Sequence, residues 1–286
     1  MSDKILVTGA SGQLGALVVD SLLAKVPAER VVAMVRRAEA AAPLEAKGVE
    51  VRLASYGDAE ALARALSGIS RVLLISSSEV GNDRAAQHKS VIDAAKDAGV
   101  ELIAYTSILR ADESGLWLGV DHRATEAMLA ESGLPVALLR NGWYTENLTG
   151  SLGQALEAGA IIGASGAGRY STATRADYAE AAAAVLVKED ASGTYELAGS
   201  ESFDMTEFAA EVSRVAGREV LYADMPEAEL KAIYIDAGLP EVVAHMLADS
   251  SAHAAKGDLE GSGAGLEALT GRKSTPWQET VKAALT

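Results

Sequence analysis

The chain has 286 residues, 49% of them hydrophobic, with a formal net charge of -15 and no cysteine. Length and apolar share suffice for a large buried core. The acid excess argues against a nucleic-acid groove, which runs on clustered Lys and Arg, and the missing thiols exclude disulfides, thiolate nucleophiles and cysteine metal sites.

No apolar run approaches the roughly 18 residues of a membrane span, and Ser2-Asp3-Lys4 leads into the first apolar segment without a basic flank or cleavage-type site. An unprocessed cytoplasmic protein with neither membrane nor nucleic-acid partner is therefore expected. The histidines His88, His122, His245 and His253 share no short ligand spacing, so no metal is expected either.

The first run, KILVTG, breaks into Gly9-Ala10-Ser11-Gly12-Gln13-Leu14-Gly15 and resumes with helical spacing. In a strand, turn and helix context, spaced glycines are expected to make a dinucleotide cradle, the alternative being a merely structural tight turn. Gly9 permits the sharp turn, Gly12 lets the backbone approach a pyrophosphate, and Gly15 lets the helix lie close on the strand. The helix then turns its free N–H groups and positive dipole end toward the anion.

The second run, VVAMVRR, bears on the nucleotide. An acid at this strand tip would bond the ribose 2′-OH, whereas a cation would accept a 2′-phosphate; Arg36 and Arg37 stand about 20 residues beyond the glycine loop, with no acid before Glu39. A planar guanidinium bonds phosphate in bidentate fashion and stacks on adenine. NADPH is expected over NADH, the alternative being that the two arginines merely solvate a helix start.

VEVRLA, RVLLISS and ELIAYTS continue the alternation, with AEALARALSG and RAAQHKSVIDAAKDAG between them reading as helices closed by glycine. Runs rich in Val, Ile and Leu on both faces predict a parallel sheet built from βαβ crossovers and covered by helices on each side. Ser76, Ser77 and Ser78 follow the fourth run, at the carboxyl edge where an open α/β sheet binds ligands, and are expected beside ribose and phosphate unless they form an ordinary polar turn.

The helix DHRATEAMLAESG then precedes a sixth run, LPVALLRNGWY. Further on come Gly-rich loops, the Ala-rich helix RADYAEAAAAVLV, the strand GTYELAG and short helices, with no Pro-rich or Ser-rich linker. The expected division is a dinucleotide-binding domain over 1–150 and a smaller lobe over 151–286, with 172–188 packing back on the first. AGLPEVVAHML reads as an apolar helix roofing a pocket, and KGDLEGSGAGLEALTG as a mobile loop leading into the last helix.

The G-x-x-G-x-x-G spacing within VTGASGQLG resembles the short-chain dehydrogenase superfamily, and in particular its atypical NmrA-like branch. ISSSEVG, AYTS, LLRNGWYTEN and TATRADYAEAAA narrow the resemblance to the type 2 NADPH quinone oxidoreductases, with triphenylmethane-dye reductases as near relatives. The resemblance runs from the first strand to the final helix. It implies an α/β, Rossmann-like doubly wound parallel sheet with a smaller α/β C-terminal lobe, acting as a monomer or homodimer. It also implies NADPH contacts at Gly9, Ala10, Ser11, Gly12, Gln13 and Leu14, at Arg36, and at Ser76, Ser77 and Ser78. Further contacts are implied at Asn141, Gly142, Trp143, Tyr144, Thr145 and Glu146, and at Thr172, Ala173, Thr174, Arg175, Ala176 and Asp177. Arg175 and Asp177 equally read as a helix-start ion pair.

The chain departs from the superfamily's catalytic pattern. Reduction of a ketone needs a Tyr-x-x-x-Lys pair to protonate the developing alkoxide, and here Leu118 and His122 hold those slots, with Ser107 in the place of the third member. A quinone that takes hydride becomes a delocalised hydroquinone anion, a much weaker base that water can protonate. A quinone or other planar aromatic acceptor, held close to the nicotinamide, is therefore the expected substrate. His122, titratable near neutral pH, is the candidate hydrogen-bond or proton donor, or else a helix-start histidine beside Asp121. Trp143 and Tyr144 are candidates to stack on a flat acceptor or the nicotinamide, or else are core aromatics of an apolar stretch. The alternatives that stay open are a reductase of quinones, a reductase of triphenylmethane dyes, whose cationic central carbon accepts hydride directly, and a non-catalytic NADP(H)-binding redox sensor of NmrA type.

Overall fold

The computed structural model describes residues 3–79 and 83–286. Ser2, and Val80 and Gly81 of the ISSSEVG stretch, lie outside the described residues. In chain order the elements are β1 (Ile5–Val7), α1 (Gln13–Leu23), β2 (Val31–Val35), α2 (Ala42–Glu45), β3 (Glu50–Leu53), α3 (Ala59–Leu66), β4 (Arg71–Leu74), α4 (Arg84–Asp97), β5 (Leu102–Ile108), α5 (Gly119–Glu131) and β6 (Val136–Asn141). There follow α6 (Thr145–Thr149), α7 (Leu152–Ala158), β7 (Ala160–Gly163), β8 (Arg169–Tyr170), α8 (Arg175–Val187), β9 (Gly193–Leu197), β10 (Phe203–Asp204), α9 (Met205–Ala216), β11 (Leu221–Asp224), α10 (Glu227–Asp236), α11 (Glu241–Ala254), α12 (Ala264–Thr270) and α13 (Trp277–Leu285).

Among the described residues, seven strands form one sheet in the order β3-β2-β1-β4-β5-β6-β9. β1 pairs in parallel with β2 on one side and β4 on the other, Ile5 standing opposite both Val31 and Arg71. The order reverses there, so the carboxyl ends of β1 and β4 border the switch-point crevice of a doubly wound, Rossmann-like α/β sheet. Every residue of β1, β2 and β5 is buried, as strands covered on both faces must be. β3 lies at the edge and tolerates Arg52 and an exposed Leu53.

The chain divides into two compact units that do not follow a single cut in the sequence. Met1–Ile108, Asp121–Arg140 and Arg175–Tyr195 form the first; Leu109–Val120, Asn141–Thr174 and Glu196–Thr286 form the second. Residues 175–188 thus belong to the first unit and 172–174 to the second. In the first unit one sheet face contributes Leu6, Met34, Leu74 and Tyr105 to a core shared with α3, α4 and α5. α1 and α8 pack on each other, and the run of buried alanines in α8 lets the two helices approach closely. Asp58 and Asp83 cap α3 and α4 by accepting the amides of Ala61 and Ala86.

The second unit pairs β7 with β11 in parallel and β8 with β10 antiparallel. Its aromatic core stacks Phe203 against Tyr170, Phe208 and Trp277 at ring separations of 6.1, 5.7 and 4.4 Å. The Gly-rich stretch expected to be a mobile loop is instead a packed segment, with Leu259 and Leu266 buried. Its glycines serve close approach: a Cβ at Gly265 would lie 2.1 Å from the Glu196 carbonyl oxygen, and one at Gly263 would lie 2.6 Å from Ser200 Cα. Glycine frequency alone does not distinguish a loose chain from a backbone pressed against its neighbour.

Candidate functional site

The glycine turn in the first unit does what its spacing implied. Gly9 adopts φ +58°, the left-handed conformation that closes the turn. A Cβ on Gly15 would fall 2.3 Å from the Gly9 carbonyl oxygen and 2.8 Å from Ala10 Cα, so only hydrogen there lets α1 sit on the turn. Gly12 is the N-cap and carries no side-chain cap, and no acid occupies the first turn of α1. The amides of that turn have no intrahelical partner and face a cleft of about 610 Å³. Ser11, Gly12, Gln13 and Leu14 line it with Gly9, whereas Ala10 is fully buried, its amide donating to the Met34 carbonyl.

At the opposite wall of the cleft stand Ile75, Ser76, Ser77 and Ser78. The Ile75 amide donates to Thr8 Oγ1 (2.9 Å) and the Ser76 amide to Thr106 Oγ1 (2.8 Å). Arg36 and Arg37, at the tip of β2, line the same cleft. Arg36 is well exposed and pairs with Glu79 at 2.8 Å, and the other Glu79 oxygen accepts Gln87 Nε2 at 2.8 Å. An incoming 2′-phosphate would therefore compete with a carboxylate for Arg36.

The motif reading missed Tyr56, which with Ser55 and Gly57 enters the cleft from the loop after β3. Its hydroxyl accepts from Thr8 Oγ1 (2.5 Å) and donates to the Ile75 carbonyl (2.7 Å), tying β1, β3 and β4 together at their carboxyl ends. Burial pushes its pKa up, so it stays a neutral phenol. The available signal was a tyrosine between small polar residues at the end of a strand.

In the second unit two stretches that are distant in sequence lie side by side. Tyr144 and Ala173 form a parallel bridge, the Thr145 amide donates to the Ala173 carbonyl (3.0 Å), and Thr145 Oγ1 donates to Thr172 Oγ1 (2.9 Å). The Gly142 amide is taken by the Leu197 carbonyl (2.7 Å). Asn141 is buried, and its Oδ1 lacks a hydrogen-bond partner among the described residues, the kind of orphaned acceptor that a ligand satisfies. Trp143, Tyr170, Tyr234, Ile162 and Leu247 surround a separate cavity of about 90 Å³, with Ser250 and Ser251 at its polar side. Leu247 and both serines come from α11, the helix expected to roof a pocket. Thr174 is buried and ends this unit's segment; Arg175, Ala176 and Asp177 begin α8 in the first unit, with Asp177 buried in its first turn.

Two of the superfamily's catalytic positions, those of Ser107 and His122, lie in the first unit. Ser107 donates its hydroxyl to Glu126 (2.5 Å), and that carboxylate receives Arg140 in bidentate fashion at 3.0 and 2.7 Å. Ser107 is thus committed to a buried ion pair. His122 is buried, its Nδ1 is 2.8 Å from the Tyr105 hydroxyl, and it is not among the residues lining the cleft. Burial, then the Arg84 cation and His88, hold its pKa well below the usual imidazole value, so the ring is neutral at pH 7.

Fold and cleft together define a dinucleotide-binding protein of the short-chain dehydrogenase type without the tyrosine–lysine pair. The chain belongs to the NmrA-like family, whose profile matches residues 1–279. It is 50% identical to quinone oxidoreductase 2 of Escherichia coli strain K12 over 278 residues, 97% of each chain. Among solved structures it is similar to the E. coli NADPH-dependent quinone oxidoreductase QOR2 complexed with NADPH, with a TM-score of 0.96 and 49% identity over 99% of this chain and 100% of that one. It is also similar to the Citrobacter sp. triphenylmethane reductase complexed with NADP(H), with a TM-score of 0.93 and 38% identity over 99% and 100% of the two chains.

Proposed function

We propose that the chain is an NADPH-dependent, flavin-free reductase that passes hydride to quinone-type acceptors. The observation that carries this is the uncapped amino end of α1, seated on Gly15 and facing a cleft that Arg36 and Arg37 also line. The residues fit the nucleotide: the glycine turn leaves room for a pyrophosphate, the first-turn amides of α1 hold it, and the arginines take the 2′-phosphate. The likeness to a quinone oxidoreductase solved with NADPH supports the same assignment.

Bound there, NADPH supplies the hydride. The chain's own contribution is to bind, orient and exclude water. Ser76, Ser77 and Ser78 line the cleft wall beside ribose and phosphate; the family likeness assigns further cofactor contacts to Asn141 to Glu146 and Thr172 to Asp177, with Asn141 Oδ1 as an available acceptor. The acceptor is a planar aromatic ring stacked on Trp143. An apolar cavity of roughly 150 Å³ holds benzene, so a space of about 90 Å³ must widen by side-chain movement to admit a single ring. Hydride addition gives a hydroquinone anion, and water provides the proton. His122 is neutral, is buried against the Tyr105 hydroxyl and does not line the cleft, so its proposed part is limited to holding Tyr105. His122→Ala with quinone turnover unchanged at saturating NADPH removes His122 from the chemistry.

The decisive experiment follows NADPH absorbance with a panel of quinones, ketones and triphenylmethane dyes. Consumption with quinones and none with simple ketones is expected. Tight NADPH binding with a silent panel would refute the reductase and leave a redox sensor.

A further inference from the structure

The Ser76–Ser78 wall is held from behind in an uncommon way. Three consecutive amides past β4 are each satisfied by a buried side chain from a different element: Ile75 by Thr8 Oγ1 (2.9 Å), Ser76 by Thr106 Oγ1 (2.8 Å) and Ser77 by His88 Nε2 (2.8 Å). Among the described residues no backbone carbonyl takes these amides, so side chains aim them. Arg84, one turn before His88 on α4, fixes the other side of the same residue by donating Nε to the Ser77 carbonyl (2.9 Å). Thr8 and Thr106 hydroxyls can rotate to donate or accept. An imidazole nitrogen accepts only when it carries no proton.

We infer that His88 is a positioning residue for the dinucleotide: as the neutral Nδ1–H tautomer, it sets the Ser77 peptide, and with it the serine wall of the cleft. A relay of hydrogen bonds enforces that tautomer. His88 Nδ1 donates to Thr125 Oγ1 (2.9 Å), and Thr125 Oγ1 donates to the Asp121 carbonyl (2.8 Å), so Thr125 has no hydrogen left to offer the ring and the proton stays on Nδ1. The ring is fully buried, with Tyr56 and Tyr105 edge-on to it at 6.4 and 5.4 Å.

The charged and titratable groups around it are Arg84 on its own helix, Tyr56, Tyr105, and Asp121 and His122 of α5. Burial first and the Arg84 cation second depress its pKa to about 4, so it remains an acceptor across the physiological range. A histidine performs here what a backbone carbonyl does elsewhere in the sheet, and it couples the cleft wall to α5 through Thr125.

The inference rests on NADPH lying in this cleft, but its first test does not. In the cofactor-free protein at pH 7, the 15N resonances of His88 are expected to show a protonated Nδ1 and an unprotonated Nε2; a protonated Nε2 overturns the proposal without any mutation. His88→Leu preserves bulk and removes the acceptor, leaving the Ser77 amide orphaned. Hydrogen exchange at Ser77 should accelerate, and calorimetric NADPH affinity should fall about ten- to a hundredfold. His88→Gln, whose Oε1 can accept the amide, should restore both. If His88→Leu does not fold, Thr125→Val, which frees the tautomer, should loosen Ser77 exchange in the same direction. Wild-type NADPH affinity in His88→Leu, or no rescue by His88→Gln, refutes the positioning role. Failure of the wild-type chain to bind NADPH refutes the cofactor reading instead.

Discussion

Two alanine substitutions three residues apart separate seating of the first helix from room for the nucleotide. In Gly15→Ala the new methyl would lie 2.3 Å from the Gly9 carbonyl oxygen, 2.8 Å from Ala10 Cα and 2.9 Å from the Gly9 carbonyl carbon, all rigid backbone. Overpacking of this kind costs about 1–3 kcal/mol, partly offset by about 0.5–1 kcal/mol from replacing a helical glycine with alanine. A net loss of about 1–2 kcal/mol in urea unfolding is expected, with weaker NADPH binding because the turn and helix can no longer meet. In Gly12→Ala the methyl meets only the Gly9 carbonyl oxygen, at 3.2 Å. Stability should stay within about 1 kcal/mol of wild type, since the N-cap was already without a side-chain bond. Calorimetric NADPH affinity should nevertheless fall at least about tenfold, or ~1.4 kcal/mol, as the methyl takes the space of the pyrophosphate. An unchanged urea midpoint for Gly15→Ala, or wild-type NADPH affinity for Gly12→Ala, would refute the division of labour.

Arg36→Ala should weaken NADPH by about ten- to a hundredfold, the worth of a charge-assisted hydrogen bond of about 1.5–3 kcal/mol, while leaving NADH affinity within twofold or so; equal losses for both nucleotides would show that Arg36 does not read the 2′-phosphate. Acid should destabilise the fold through its neutral histidines. His88 has a folded pKa of about 4 against 6.5 unfolded, so between those values the unfolded chain binds more protons and stability falls as pH is lowered, by about 3 kcal/mol in total before levelling below about 4. His122 acts in the same direction. Urea midpoints from pH 7 down to 4.5 should show a slope that shrinks in His88→Gln, and a flat profile would contradict the buried neutral ring. Trp143→Ala should raise KM for quinones about two- to tenfold, as loss of a ring contact worth about 0.5–1.5 kcal/mol requires; steady-state kinetics at saturating NADPH checks it.

Local chemistry carried its own spatial consequences in the first unit. Apolar runs spaced by helices imply crossovers, crossovers imply a parallel sheet, and a parallel sheet brings Gly9, Arg36 and Ser76 to one edge because each follows the carboxyl end of its strand. The missing Tyr-x-x-x-Lys pair was equally legible, since it is a statement about residue identity. What no window of sequence contains is burial and long-range pairing. Tyr56 joins the cleft, Glu79 takes Arg36, and Ser107 is claimed by the Glu126–Arg140 pair, each through partners more than ten residues away. The glycines of 261–265 read as slack until Ser200 and Glu196 are seen against them, because glycine permits looseness and tight contact alike. His88 reads as one polar residue on a helix; only the fold surrounds it with Tyr56, Tyr105 and Thr125, where removal from water decides which of its nitrogens holds the proton.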